Sequence, residues 1–237
     1  MIREYEGIVI RQTKITGGRR MVLVFTREEG KLSAGTHLSE KSRGGAALAI
    51  RPFAHGLYFV AEKSADVRSV SSAEIIDAHF TLGEDADRFA EASYALEFTD
   101  KLLPDGVRAP QVFDLLSEYL DMLAGRKSDF RLLTISYLVK VMRELGVFPD
   151  AASLAEGELL SGLNGDILNV LAFIVEQPLS RMDALTLEEE KERAIFGVVK
   201  SFAYSFLDIG MIKSERMLAQ GSVTAMNNEG GCHGNHT

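Results

Sequence analysis

The chain reads as an α+β protein, a small five-stranded β-barrel followed by an all-α domain. Three observations predict this. Five β-rich runs fall within residues 1 to 80, the apolar residues switch to helical spacing from Glu84 onward, and the charge changes sign between the two parts.

The β-rich runs come first. Tyr5 to Ile10 and Met21 to Phe25 are dense in β-branched and aromatic residues and are bounded by polar or glycine-containing segments. Gly17-Gly18 gives the first connection its backbone freedom, and Arg19-Arg20 follow it directly. Glu28-Glu29-Gly30 closes a second hairpin into a third strand, Lys31 to Thr36. Gly45 to Ile50 is alanine-rich and suits a turn or two of helix, before a fourth strand at Leu57 to Ala61 and a fifth at Val67 to Ile76. Five strands with a small helix between the third and fourth fit a Greek-key barrel of the OB type. Periodicity alone does not separate this from an SH3-like barrel.

Helices occupy the rest. Phe89, Ala92, Leu96 and Leu103 stand at helical spacing until Pro104-Asp105-Gly106. Pro110 opens a second helix with the stripe Val112, Leu116, Tyr119 and Leu123, and Gly125 stops it. A third runs from an N-cap at Ser128 to Leu145. Residues 150 to 162 read as a short irregular or helical linker, and Asp166 to Glu176 as a helix closed by Pro178. The longest helix is expected at Leu187 to Ile209, with Ile195, Val198, Phe202, Phe206 and Ile209 on one face and Gly210 as its cap. A short helix at Ile212 to Leu218 follows. The composition of residues 220 to 237 cannot bury enough apolar area to order itself. The expected division is 1–80 barrel, 81–219 helical domain and 220–237 flexible tail.

The charge pattern carries the functional reading. Net charge is −8, yet residues 1 to 80 hold 12 Lys+Arg against 9 Asp+Glu, and residues 81 to 237 hold 14 against 25. A cationic barrel joined to an acidic helical domain suits a polyanion such as nucleic acid on the barrel. Arg11, Lys14, Arg19, Arg20, Lys31, Lys41 and Arg43 sit on or near the first three strands and the loops they bound. In an OB barrel that region forms the groove for single strands, where cations track phosphates without reading bases. Most of Tyr5, Phe25, Phe53, Tyr58 and Phe59 are needed to fill the barrel, leaving at most one or two as base platforms.

Enzyme signatures are absent: no phosphate loop, zincin helix, dinucleotide fingerprint or nucleophile elbow. His37, His55 and His79 are far apart and read as surface or half-buried side chains, and Glu188-Glu189-Glu190 as a solvated first helical turn. The single cysteine, Cys232, excludes an internal disulfide and a four-cysteine zinc site. With His233 and His236 it makes at most an opportunistic metal site in a tail. No cofactor is expected. No run is long and apolar enough for a membrane span, and the N-terminus is no signal peptide, so a cytoplasmic location is expected.

Collinear short motifs then carry a resemblance. Tyr5-Glu6-Gly7-Ile8-Val9, Phe25-Thr26-Arg27-Glu28 leading to Gly30-Lys31-Leu32, Lys41-Ser42-Arg43 and Pro52-Phe53 resemble the DNA repair protein RecO family. Further along, Ala92-Ser93-Tyr94 with Glu97, Leu102-Leu103-Pro104, Leu145-Gly146 with Pro149-Asp150, and Gly210 with Ile212-Lys213-Ser214 and Arg216 are similar to its helical segments. The resemblance implies an OB domain, a helical domain and a non-enzymatic recombination mediator acting at the nucleoid. Such a protein binds single- and double-stranded DNA, anneals complementary strands and works with RecR and the tail of single-strand binding protein to help load RecA. It places that tail on the helical domain, beside Lys213 and Arg216 with apolar Ile212 and Leu218. Two features depart from the family pattern. Residues 151 to 165 lack the four cysteines that hold zinc in many relatives, and GTHLSE at 35–40 keeps only Lys41 and Arg43 of a basic cluster. The alternative is a protein-interaction adaptor with weak or indirect DNA contact.

Overall fold

The computed structural model describes residues 1–15, 17, 19–38, 44–64, 67–156, 163–207 and 209–218. Its first part is a closed barrel of β1 (Ile2–Lys14), β2 (Arg20–Thr26), β3 (Gly30–Thr36), β4 (His55–Ser64) and β5 (Val67–Asp77), in the order β1-β2-β3-β5-β4. All neighbours are antiparallel except β3 and β5, which close the barrel through the parallel pairs Gly35↔Ser69 and Thr36↔Val70. This is the OB-type barrel expected from the strand count. The strands run longer than their apolar centres because polar ends still pair, as in Arg3↔Val60 and Lys14↔Arg20. Between β3 and β4 the alanine-rich segment forms one 3-10 turn, Gly44–Ala47, shorter than the helix expected over 45–50.

Two apolar layers use the barrel. Tyr5, Val9, Val22, Val24, Leu32 and Tyr58 fill its inside with Ala49 and Ile50 from the β3–β4 connection. The Tyr58 hydroxyl donates to the Ala49 carbonyl at 2.6 Å, so the phenol stays bonded within the core. A bulge between Val9 and Arg11 turns the strand, and Ile8, Ile10, Leu23 and Phe25 face outward into the core of the helices.

Among the described residues the helices α1 (Ala86–Leu102), α2 (Pro110–Gly125), α3 (Phe130–Glu144), α4 (Ala151–Glu156), α5 (Gly165–Glu176) and α6 (Glu189–Phe206) follow, with a further helical turn at 215–218, inside the short helix expected at Ile212 to Leu218. The α2 stripe Val112, Leu116, Tyr119 and Leu123 is fully buried, each side chain contributing about 1.5–3 kcal/mol. Tyr119 stacks on Tyr137 at 4.6 Å, and each hydroxyl finds a buried threonine, Thr134 and Thr99.

Three helix details differ from the expectations. α3 starts at Phe130, with left-handed Asp129 at the cap position, because the Ser128 hydroxyl is bonded to the Asp129 carboxylate and caps nothing. α6 ends at Phe206, where Leu207 becomes extended; its buried stripe is Ile195, Phe196, Val199, Phe202 and Ala203. Phe206 is therefore 59% exposed, and Gly210 turns the chain after the helix instead of capping it. A 3-10 helix at Leu179–Ala184 was not expected; its Leu179 and Met182 are buried. Among the described residues, no helix is long and apolar enough to cross a membrane.

Candidate nucleic-acid interface and barrel–helix junction

Cross-strand partners share a face, so the register sorts the barrel cations. Lys14 opposes Arg20, and Arg20 opposes Thr36, two positions beyond the pair Gln12↔Val22. Lys14 and Arg20 thus sit together at the β1–β2 end of the barrel, and exposed Arg19 adjoins them, its carbonyl accepting the Ile15 N–H at 2.9 Å. Arg20 is held upright: its Nη1 donates to Gln12 Oε1 at 2.7 Å, while Gln12 Nε2 donates to the Ile50 carbonyl at 2.8 Å. Charge-assisted bonds of this kind orient a guanidinium.

The other sequence candidates separate from this cluster. Arg11 opposes Leu23 on the outward face and lies 4.0 Å from Asp100 of α1. Lys41 and Arg43 fall outside the described residues. Lys31, expected as a phosphate contact, lies at the barrel–helix junction with its side chain only 7% exposed. Its Nζ donates to the Asp100 carbonyl at 2.6 Å and to Asp100 Oδ1 at 2.8 Å, and pairs with Asp105 Oδ1 at 2.9 Å. Burial pulls the ammonium pKa down, but the bonds and charges of Asp100 and Asp105 outweigh it and raise it above the ordinary 10.5. Sequence could not show this, since Asp100 lies 69 residues away.

The Lys31 clamp sits where barrel and helices meet most closely. Gly30 has φ +75, and a Cβ there would stand 2.0 Å from the Val107 carbonyl oxygen of the α1–α2 loop. Only glycine permits both the left-handed backbone and that approach. Phe25 and His55 of the barrel meet Phe113 of α2 edge-on at 5.7 and 5.8 Å, and Arg27 pairs with Asp114.

Beside the clamp lies a cleft of about 440 Å³. Ile10, Pro52, Phe53 and Phe89 supply apolar surface, and Arg11, Lys101 and Lys213 supply positive charge. Glu97 on its wall is already engaged: its carboxylate accepts the Lys213 N–H at 2.8 Å, the Ser214 N–H at 2.8 Å and the Ser214 hydroxyl at 2.7 Å. Burial raises its pKa, but these bonds, aided by Lys101, hold it below the ordinary 4.5. Lys213 lines the cleft, whereas Arg216 is exposed and not on its wall. Ile212 and Leu218, expected as the apolar neighbours, are buried in the core. The apolar partners of Lys213 come instead from the barrel and α1, which spacing within one segment could not reveal.

Folding also joins groups that sequence distance kept apart. Buried His79, on the linker after β5, places Nε2 2.8 Å from Asp121 Oδ1 of α2, and its backbone N–H donates to Asp77 Oδ1 at 2.6 Å. His55 pairs separately, with Glu6 at 3.0 Å.

Comparison with known proteins agrees with this architecture. A family model described as "Recombination protein O N terminal" matches residues 1–79, and "Recombination protein O C terminal" matches residues 83–158. A protein of Bacillus cereus named DNA repair protein RecO is 31% identical over 149 residues, covering 63% of this chain and 59% of that protein. The chain thus spans about three fifths of that relative in the match. A protein of the same name from Bacillus cytotoxicus is 25% identical over 245 residues, covering 93% of this chain and 98% of that protein. With both family segments matched in order over the barrel and the first helices, the chain belongs to the recombination protein O (RecO) family.

Proposed function

We propose that this chain is a DNA-repair and recombination mediator whose barrel, residues 1–80, binds DNA and whose helical part, residues 81–219, carries partner contacts. In this reading Lys14, Arg19 and Arg20 hold the phosphates of single- and double-stranded DNA, joined by Lys41 and Arg43. The observation that carries it is the convergence of Lys14, Arg19 and Arg20 at one end of an OB-type barrel in this family. Phosphate attraction is indifferent to sequence, which suits a protein that holds two complementary strands until they pair. The acidic helices repel the backbone and leave the barrel end as the approach. Annealing needs no covalent step, so no residue is assigned to catalysis.

RecR and the acidic, aromatic-ended tail of single-strand binding protein are the partners of this reading, with RecA loaded through them. The junction cleft suits such a tail better than the helical surface alone, because apolar walls meet Arg11, Lys101 and Lys213 there, three cations against the two carboxylates of Glu97 and Asp100. A second reading, a protein-interaction adaptor with weak DNA contact, draws on the same cleft and the net acidity of residues 81 to 237. Annealing of complementary oligonucleotides, with pull-downs against RecR and single-strand binding protein, separates them. A mediator anneals bare strands unaided, and an adaptor is retained by the proteins alone.

A further inference from the structure

We propose that Asp77, His79 and Asp121 bind a divalent transition-metal ion that clasps the end of β5 to α2. The candidate ligand atoms, one from each residue, all lie within 4.8 Å of one another. Atoms held about 2.1 Å from a tetrahedral zinc stand roughly 3.4 Å apart, so small rotations of the two exposed aspartates complete the geometry. The imidazole needs no such movement.

The hydrogen bonds fix what His79 presents. Its Nδ1 lies 2.9 Å from the Phe53 carbonyl oxygen. A carbonyl has no hydrogen, so Nδ1 must carry one. Nε2 then faces Asp121 Oδ1, 2.8 Å away, across a gap that a cation bridges. A divalent ion balances the charge of the two carboxylates.

The ring is built to stay in place. His79 is 3% exposed, and a backbone carbonyl orients its far nitrogen, the arrangement that fixes the tautomer of metal-binding histidines. Both ends of that orienting bond hold left-handed backbone, φ 74 at Phe53 and φ 44 at His79. Such conformations are costly for residues with a Cβ and persist where surrounding structure imposes them. Asp77 and Asp121 are exposed, which leaves an open side for entry and for water ligands. One imidazole nitrogen with two carboxylate oxygens selects zinc, cobalt or manganese over magnesium and calcium, which prefer oxygen alone. The role is structural: the ion ties the linker to α2, and through Phe53 it steadies one wall of the junction cleft.

Isothermal titration of zinc chloride into the chelator-stripped full-length chain tests this. The background is Cys232→Ser/His233→Ala/His236→Ala, which removes the other nitrogen and sulfur ligands grouped in the sequence. One zinc should bind per chain and raise the melting temperature by several degrees. Adding Asp121→Asn, on an exposed helix position, should weaken binding at least about tenfold, the low end for disturbing a metal site. His79→Gln should abolish binding, with circular dichroism checking that the variant folds. Cobalt should give ligand-field bands without thiolate charge transfer, lost with Asp121→Asn. Absence of zinc uptake in the tail-substituted chain, or uptake unaffected by Asp121→Asn, overturns the proposal.

Discussion

Lys31 of the barrel and Asp100 of α1 form a buried clamp, Nζ lying 2.8 Å from Oδ1 and 2.6 Å from the Asp100 carbonyl. Removing one partner of a buried pair leaves the other charge uncompensated, at a cost of about 3–5 kcal/mol. Asp100 keeps 17% exposure, so Lys31→Met is expected near the lower figure, about 3 kcal/mol, lowering Tm by roughly 6–12 °C. The folded pKa of Lys31 is raised, so its stabilisation is complete below 10.5 and is lost as pH rises through the higher folded value. Lys31→Met should therefore flatten the alkaline fall in stability, and thermal melts across that range check it. An unchanged melting temperature would return Lys31 to the accessible cations.

Glu97 gives the opposite pH dependence. Its folded pKa is depressed, so its stabilisation is present above 4.5 and is lost as pH falls through the lower folded value. Glu97→Gln keeps the shape but loses the charge that accepts three bonds from Lys213 and Ser214. Hydrogen bonds to charged groups contribute about 1.5–3 kcal/mol, so the amides of Lys213 and Ser214 should exchange roughly tenfold faster or more. Hydrogen–deuterium exchange reads this directly. Unaltered protection in the variant would show that other contacts hold the turn.

Much of the fold was legible because local chemistry and tertiary structure agree. The α2 stripe, Pro110 at the first helical turn and the β-branched runs of β1 and β2 all point the same way. What stayed hidden depended on contacts distant in sequence. Lys31 looks like any strand-edge cation until Asp100 and Asp105 fold against it. His79 looks isolated until α2 brings Asp121 to it. α6 ends short of Ile209 because Phe206 continues the apolar spacing yet has no core to enter. Within the candidate interface, the Lys14–Arg20 proximity followed from the hairpin, whereas the outward turn of Arg11 came from a bulge that composition does not mark.

The junction cleft separates two neighbouring cations. Lys213 lines it beside Phe53 and Phe89, and Arg216 does not. Lys213→Glu should weaken binding of the single-strand binding protein tail peptide about tenfold, the scale of truncating one important interface contact, while Arg216→Glu should have little effect. Fluorescence anisotropy with a labelled peptide compares them. Equal loss in both variants points to a diffuse electrostatic surface, and no loss in either removes the cleft as the docking site.

DNA binding by the β1–β2 end of the barrel is tested most directly by salt titration. The affinity for a mixed-sequence single-stranded oligonucleotide is measured at several salt concentrations for the wild type and Lys14→Ala/Arg19→Ala/Arg20→Ala, with Lys41→Ala/Arg43→Ala and Lys31→Met alongside. Each phosphate contact contributes roughly 0.7 to the slope of log affinity against log salt. The triple variant should lose about 2 from that slope and bind all sequences more weakly, the Lys41/Arg43 variant should lose about 1.4, and Lys31→Met should keep the wild-type slope. If the triple variant binds with wild-type slope and affinity, the barrel end is not the DNA site, and the adaptor reading takes its place.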